Sequence, residues 1–231
     1  MNWISEQKTA IADVCRKLYD RGYLVATSGN VSVRNADHFL ITPRATRKDK
    51  MLPELIVDCN ADGNPIGDSP HFGKGTVPLP STEIEMHREV YRQRKDVNAA
   101  VHAHPPYCTA CSLASISLTE MLLPELAIYI GPVPTVPYAT PGTNELPEAL
   151  KPYLKDHNAF LLMRHGVLVL GKDLEDAYNR LEQLEYIGHV AYLVGSMGSV
   201  SPLTKAELLR LTSHGRRIGL EISRRLMTLL E

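Results

Sequence analysis

A chain of 231 residues with 44% hydrophobic and 22% charged residues has the length and composition of one globular domain, and we expect a single domain over residues 1–231. The net charge of −1 argues against nucleic acid or an anionic membrane surface as a partner. No apolar run approaches the roughly 20 residues that span a bilayer, and residues 1–8 lack the regions of a secretory signal, so we expect a cytoplasmic protein.

The first third of the chain has the pattern of one helix followed by short strands. Apolar residues repeat at three- and four-residue spacing and predict a helix over residues 5–20, which Gly22 ends. Runs of β-prone residues then predict three strands, at residues 30–34, 39–42 and 55–59. Asp62-Gly63 predicts a hairpin turn, and prolines and glycines predict a loop over residues 66–79.

Helices and strands alternate over the rest of the chain. A helix is predicted from Ser81 or Thr82 to about Arg94, and Thr82 and Glu85 have the spacing of a capping box. Four β-prone runs predict strands, at residues 99–104, 133–138, 160–164 and 167–170. Three further runs predict helices, one beginning near Pro105-Pro106, one over residues 174–194 and one over residues 205–229.

These elements predict the α/β class, a three-layer α/β/α sandwich with several strands wrapped by four or five helices. The short connections and hairpin signals favour a mainly antiparallel or mixed sheet over a regular βαβ winding.

Two histidines stand two positions apart in the strand predicted at residues 99–104. Residues i and i+2 of a strand project from the same face, so the imidazoles of His102 and His104 are both able to reach one ion. A catalytic zinc needs a third protein ligand, and His165 is the candidate because Arg164-His165-Gly166 interrupts two apolar runs. Taken alone, His165 fits a hydrogen-bonded core histidine equally well.

Glu83 lies in the first turn of the helix predicted from Ser81 or Thr82, where the helix dipole favours a carboxylate. The capping box accounts for Glu85 and leaves Glu83 without a structural role. The free N–H groups and the hydroxyls of Ser81 and Thr82 also suit a phosphate. His87 lies one turn beyond Glu83 and either orients it or simply packs.

A second polar, glycine-bearing stretch is Thr27-Ser28-Gly29-Asn30, followed by Thr42-Pro43. Hydroxyls, an amide and a glycine at a strand entrance are typical of a phosphate pocket, and they are equally typical of ordinary turns.

Two patterns that look like metal sites are not predicted to be sites. Asp58-x-Asn60-x-Asp62-Gly63 begins like a calcium loop, but its twelfth position is Ser69 and Pro65 interrupts it. Cys108-x-x-Cys111 lies in a helical pattern without a second such pair, so we expect it to pack in a core. All four cysteines of the chain are expected to be reduced: Cys15, Cys59, Cys108 and Cys111.

Six short motifs occur along the chain in this order: Ser28-Gly29-Asn30, Thr42-Pro43, Pro80-Ser81-Thr82-Glu83, His102-Ala103-His104, Pro137-Tyr138-Ala139-Thr140-Pro141-Gly142-Thr143 and His165-Gly166. This is the order found in the class II aldolase/adducin family, and the chain resembles that family from residue 10 to about residue 215. The resemblance implies an α/β/α sandwich around a mainly antiparallel sheet. It also implies a C4 homotetramer with active sites at subunit interfaces.

The resemblance assigns roles to the motif residues. It implies zinc on His102, His104 and His165, with Glu83 beside the metal as the acid/base. The phosphate of a small sugar would be held by residues of four motifs, namely Ser28, Gly29, Asn30, Thr42, Ser81 and Thr82.

The activity implied is that of a zinc-dependent aldolase that cleaves a ketose 1-phosphate to dihydroxyacetone phosphate and an aldehyde. Zinc acts as a Lewis acid for the enediolate formed when the C3–C4 bond breaks, and Glu83 moves protons. A dehydratase, 4-epimerase or decarboxylase on the same scaffold is the alternative. A non-catalytic oligomeric module, as in adducin head domains, is a third, and the retained Glu83 and histidines argue against it.

The chain departs from fuculose-type aldolases at three places. Those aldolases have a proton-donating tyrosine near the position of Leu123 in this chain. They also use a tyrosine in the C-terminal tail, and His214 stands at that position here. Thr42-Pro43 replaces the usual Thr-Gly of the phosphate pocket. These changes make His214 the candidate second catalytic residue and imply a substrate other than fuculose phosphate.

Overall fold

The computed structural model describes residues 3–36, 38–67, 79–120, 122–198, 201–220 and 222–231. Seven strands in this part of the chain form one sheet: β1 Asn30–Asn35, β2 His38–Ile41, β3 Val57–Asn60, β4 Ala99–Ala103, β5 Thr135–Val136, β6 Ala159–Leu162 and β7 Gly166–Gly171. Their order is β3-β2-β1-β4-β7-β6-β5. Every neighbouring pair is antiparallel except β5 with β6, so the prediction of a mainly antiparallel sheet is confirmed.

Helices cover both faces of this sheet. They are α1 Trp3–Asp20, α2 Ile84–Gln93, α3 Pro106–Ala114, α4 Glu145–Leu154, α5 Leu174–Met197, α6 Lys205–Arg217 and α7 Arg224–Leu230. A 3₁₀ turn at Pro53–Leu55 and a π-helical segment at Leu126–Ile130 complete the helical parts that the structure describes. None of the described helices is long and apolar enough to cross a membrane.

The alternation of side chains along β4 separates two hydrophobic cores. Ala99, Val101 and Ala103 face the core that α1, α3 and α5 cover. Ala100 faces the opposite core, which α2 and α4 cover. The three-layer α/β/α arrangement is therefore confirmed, and His102, which shares a strand face with Ala100, lies on the side of α2.

The C-terminal helix predicted over residues 205–229 is in fact two helices, so that prediction was wrong. Helix α6 ends at Arg217, and Gly219 follows with a φ of 81°. The N–H groups of Leu220 and Gly219 donate to the carbonyls of Gly215 and Arg216 in a Schellman motif. Glycine at this position ends the helix because it adopts a positive φ without a steric penalty.

The predicted capping box between Thr82 and Glu85 is not formed. Helix α2 begins at Ile84, and no side chain caps its first turn. The carboxylate of Glu85 instead pairs with the guanidinium of Arg88, at 2.8 and 2.6 Å. The box is absent because the N-cap is Glu83 and not Thr82, so Glu85 stands at the second helical position, where its side chain does not complete a box.

Other predicted boundaries differ from the structure more modestly. The Asp62-Gly63 turn is confirmed, with Gly63 at a φ of 82°. The strand predicted over residues 133–138 contains only the two residues of β5, and helix α4 was not predicted. In the predicted loop over residues 66–79, residues 68–78 lie outside the described part of the chain, as does Ser69 of the calcium-like pattern.

Candidate functional site

The three histidines predicted as metal ligands lie together at one end of the sheet. His102 is on β4, His104 follows that strand, and His165 lies in the turn between β6 and β7. The strands β4 and β7 are neighbours, which brings the turn to His102. The ring centroids are 4.6 to 5.0 Å apart, and one possible ligand nitrogen from each ring lies within 4.8 Å of the others.

Gly166 allows this close approach. A Cβ atom at residue 166 would lie 2.4 Å from the carbonyl oxygen of Ala103 and 2.5 Å from Cδ2 of His104. The preceding turn places Arg164 at a φ of 59°, and the N–H of His165 donates to the carbonyl of Leu162 at 3.0 Å. A side chain on residue 166 would therefore displace the ring of His104 and the backbone of Ala103.

The histidine cluster fits a divalent metal ion. Nδ1 of His102 donates to the carbonyl of Val167 at 2.8 Å, so Nε2 faces the cluster. Burial lowers the pKa of this ring, but the carboxylate of Glu83 outweighs burial and raises it, and a metal ion would take the place of the proton on Nε2. Nε2 of His104 lies 3.1 Å from Nε2 of His102. Two nitrogen ligands of a tetrahedral zinc ion are about 3.4 Å apart, so the spacing of these two atoms is close to that of a zinc site. Burial, with the charge of His102, lowers the pKa of His104 to about 3 and that of His165 to about 4. Both rings are thus neutral, as ligands must be.

Glu83 faces this cluster. Its Oε2 lies 3.2 Å from Nε2 of His102 and accepts a hydrogen bond of 2.8 Å from the side-chain amide of Asn30. Its Oε1 lies 3.6 Å from Nε2 of His165, is buried, and accepts no hydrogen bond from the described residues. Burial opposes ionisation, but the charge and hydrogen bond of His102 outweigh it and lower the pKa of Glu83. Glu83 therefore presents an ionised carboxylate with one oxygen free.

A cavity of about 320 Å³ opens beside Glu83, His104 and His165. Five of the six residues predicted to hold phosphate line it: Ser28, Gly29, Asn30, Ser81 and Thr82. The sixth, Thr42, does not. It is fully buried, and its hydroxyl oxygen accepts a hydrogen bond of 3.2 Å from the N–H of Val31.

Two cations that were not predicted as site residues line the same cavity, Arg44 and Lys48. Lys48 is only 1% exposed, and its ammonium donates to the carbonyls of Thr27 and Thr46 at 2.9 and 3.0 Å. No carboxylate of the described residues pairs with it. A buried cation without an anion is costly, so an anion in the cavity would be stabilised. In the sequence, the signal for cations at this cavity was the group of basic residues that follows Thr42-Pro43.

Of the three departures from fuculose-type aldolases, Pro43 lines the cavity, whereas His214 and Leu123 lie away from it. His214 is on α6, and its Nδ1 accepts a hydrogen bond of 2.8 Å from Arg217. Leu123 packs against the core that α1, α3 and α5 cover. Neither residue lines the cavity of its own chain.

The cysteines are buried and unpaired, as predicted. Burial raises the pKa of Cys15 and of Cys59 to about 12, so neither thiol is a nucleophile at neutral pH.

Comparison with known proteins gives a consistent result. The family model described as Class II Aldolase and Adducin N-terminal domain matches residues 9–192. An L-fuculose phosphate aldolase of Methanococcus maripaludis is 35% identical over 185 residues, which are 80% of this chain and 95% of the relative. A 3-oxo-tetronate 4-phosphate decarboxylase of Escherichia coli is 31% identical over 216 residues, which are 91% of this chain and 95% of the relative.

The fold is also similar to that of a solved structure, YgbL from Klebsiella pneumoniae. The TM-score is 0.80 at 28% sequence identity, and the match covers 90% of this chain and 98% of that one. The match of the family model over most of the chain, together with these relatives, shows that the protein belongs to the class II aldolase/adducin family.

Proposed function

We propose that this protein is a zinc-dependent aldolase that cleaves a ketose 1-phosphate to dihydroxyacetone phosphate and an aldehyde. The observation that carries the proposal is the free, buried Oε1 of Glu83 beside three imidazoles, at a cavity that also contains two cations. The similarity to an L-fuculose phosphate aldolase supports the reaction class. The sugar phosphate would bind with its phosphate toward the cations and its carbonyl toward the histidines.

The roles of the residues follow from their positions. His102, His104 and His165 would hold Zn²⁺, which when bound supplies Lewis-acid stabilisation of negative charge on the carbonyl side of the broken bond. Cleavage of the C3–C4 bond removes a proton from the C4 hydroxyl and returns one to C3. Oε1 of Glu83 is the atom that exchanges the proton at C3. Lys48 holds the phosphate together with Ser81 and Thr82, which lie just before α2.

The decisive experiment measures dihydroxyacetone phosphate released from a panel of ketose 1-phosphates, with and without a chelator. We expect release from at least one sugar, loss of release with the chelator, and recovery when zinc is added back. The aldehyde identified in the productive reaction defines the substrate. If none of the sugars releases dihydroxyacetone phosphate in the presence of zinc, the protein is not an aldolase of this type.

Decarboxylation of a sugar acid phosphate is the second candidate function. It is favoured by one observation, namely that the decarboxylase relative matches 91% of this chain whereas the aldolase relative matches 80%. Carbon dioxide released from 3-oxo-tetronate 4-phosphate, without release from the ketose 1-phosphates, would select this function.

The buried ammonium of Lys48 leads to a prediction about substrate affinity. Replacing Lys48 by Met removes the charge and preserves the length of the side chain, so we expect KM for the sugar phosphate to rise about 30-fold with kcat nearly unchanged. Steady-state kinetics at fixed zinc measures both constants. Lys50→Met is the matched control, because Lys50 is exposed and does not line the cavity. A fall in kcat at unchanged KM would refute the phosphate-binding role.

We also propose that the protein is a C4 homotetramer whose active sites lie at subunit interfaces, and that His214 is the second proton-transferring residue. Because His214 lies outside the cavity of its own chain, it would act in the site of a neighbouring subunit. Co-expression of Glu83→Gln and His214→Ala subunits in equal amounts is then expected to give about a quarter of wild-type activity, from sites that combine the two intact residues. Activity no higher than that of either variant alone would contradict a shared site.

A further inference from the structure

A row of buried polar side chains lies behind Glu83, between α2 and β1. Glu83, His87 and Tyr91 are spaced four residues apart on the helix side, and Asn30 and Ser32 are two residues apart on the strand. Four residues of helix rise about 6 Å and two residues of strand about 6.8 Å. The side chains on the helix side therefore have nearly the same spacing as those on the strand, and each can contact a partner. Asn30 is 2% exposed, Ser32 and His87 are fully buried, and Tyr91 is 6% exposed.

Hydrogen bonds join these side chains into one chain that ends on the catalytic carboxylate. The amide nitrogen of Asn30 lies 2.8 Å from Oε2 of Glu83, and the Asn30 oxygen contacts Nε2 of His87. On the other side of the ring, Nδ1 of His87 lies 2.6 Å from the hydroxyl of Ser32. That hydroxyl lies 2.6 Å from the hydroxyl of Tyr91. None of these atoms depends on water for a partner.

The donor and acceptor of every bond in this chain follow from the first one. A side-chain amide nitrogen only donates, so the Asn30 nitrogen donates to Oε2 of Glu83 and the Asn30 oxygen accepts. Nε2 of His87 must then carry the proton, and Nδ1 of the neutral ring accepts from Ser32. The Ser32 oxygen in turn accepts from Tyr91. Burial lowers the pKa of His87 to about 3, with the charge of His102 acting in the same direction, which agrees with a neutral ring.

We propose that His87 is a positioning residue: its Nε2–H fixes the amide of Asn30, and Asn30 holds Oε2 of Glu83 so that Oε1 remains free for the substrate proton. The proposal rests on the proposed role of Glu83. Without the His87 donor, the buried Asn30 oxygen has no partner among these side chains, and the amide is oriented only by its bond to Glu83. Oε2 of Glu83 would then be held less firmly, and Oε1 would no longer be fixed toward the substrate.

Replacing His87 by Gln or by Asn distinguishes a positioning role from simple packing, because the two amides place a donor at different ring positions. Gln at position 87 places a donor near Nε2 and so retains the hydrogen bond to Asn30, whereas Asn reaches only the Nδ1 position and leaves the Asn30 oxygen unpaired. We expect kcat of His87→Asn to fall about 10- to 100-fold, the usual effect of losing an orienting partner, and kcat of His87→Gln to stay within about 5-fold of the wild type. KM and the metal content per chain should be unchanged in both variants.

The activity is followed with whichever sugar phosphate or sugar acid phosphate the wild type converts, and thermal unfolding checks that each variant is folded. Equal kcat values for two folded variants would overturn the proposal. If His87→Asn does not fold, Ser32→Ala is the second variant. It removes the donor to Nδ1, and we expect the same direction of change in kcat at constant metal content.

A substrate-independent measurement tests the hydrogen-bond chain itself. Long-range ¹H–¹⁵N correlation spectra of the ¹⁵N-labelled protein identify the tautomer of each histidine, and the His87→Gln variant assigns the signal of His87 by its loss. We expect a neutral ring protonated on Nε2 between pH 6 and 8. A ring protonated on Nδ1, or on both nitrogens, would overturn the proposal even if the enzyme is an aldolase. Conversely, the Nε2–H tautomer in a protein that cleaves none of the sugars would refute the proposed function and leave the chain of hydrogen bonds in place.

Discussion

Replacing Glu83 by Gln is expected to lower kcat by about 10³-fold and to leave the metal content unchanged, because general acid/base catalysis commonly contributes 10²- to 10⁴-fold. Gln has nearly the same volume, but its amide neither takes nor returns a proton at neutral pH. The imidazoles of His102 and His165, which face residue 83, are not altered by the substitution. The measurements are initial rates of product release and elemental analysis of the purified variant.

Glu85→Gln is the matched control for this experiment. The chemical change is the same and the residue lies on the same helix, but Glu85 pairs with Arg88 and does not line the cavity of the histidine cluster. We expect its kcat within about 2-fold of the wild type, because a partly exposed ion pair away from the cavity contributes little. Full activity of Glu83→Gln would show that another group moves the proton.

The His165→Ala variant is expected to lose the metal. The other two candidate ligands come from one short segment, and the variant retains only that pair, so we expect the affinity for zinc to fall by more than about 100-fold. Turnover should fall with it at micromolar zinc. Metal per chain after gel filtration and competition with a chromogenic chelator measure the affinity directly.

The thermal midpoint offers a second measurement that does not depend on activity. A ligand that binds only the folded state raises the midpoint, so a chelator should lower the midpoint of the wild type and leave that of His165→Ala unchanged. His38→Ala is the control, since His38 contacts Asp58 and Asn35 and lies outside the cluster. Undiminished zinc binding by His165→Ala would mean that the cluster is not the metal site.

The histidine cluster was predictable from the sequence because it depends on local patterns along the chain. His102 and His104 share a strand face by the period of two, and the polar His165 is conspicuous between two apolar runs. Glu83 was found by exclusion, although the reason given for Glu85, a capping box, was wrong. The position of Glu83 at the start of α2 was enough to identify it as a candidate site residue.

The features that were missed depend on tertiary contacts or on exceptions to local rules. Lys48 stands among basic residues that look solvated, and only the carbonyls of Thr27 and Thr46 show that it is buried. Helix α4 contains Pro147 and Pro152, which mask its periodicity, although proline is compatible with a first helical turn. The role of His87 depends on the register of α2 against β1, which no spacing along one element reveals.

The position of His165 in the turn between β6 and β7 also has a consequence for the order of folding. His104 and His165 are close only because β4 pairs with β7, and the chain between them includes α3, α4 and β6. Such distant contacts form late, since loop closure opposes them until much of the sheet is in place. In small zinc modules the ligands are near in sequence and the ion drives folding. Here the three histidines come together only in the folded chain, so a metal ion held by them would bind in a step that follows folding and that depends on access to the folded protein.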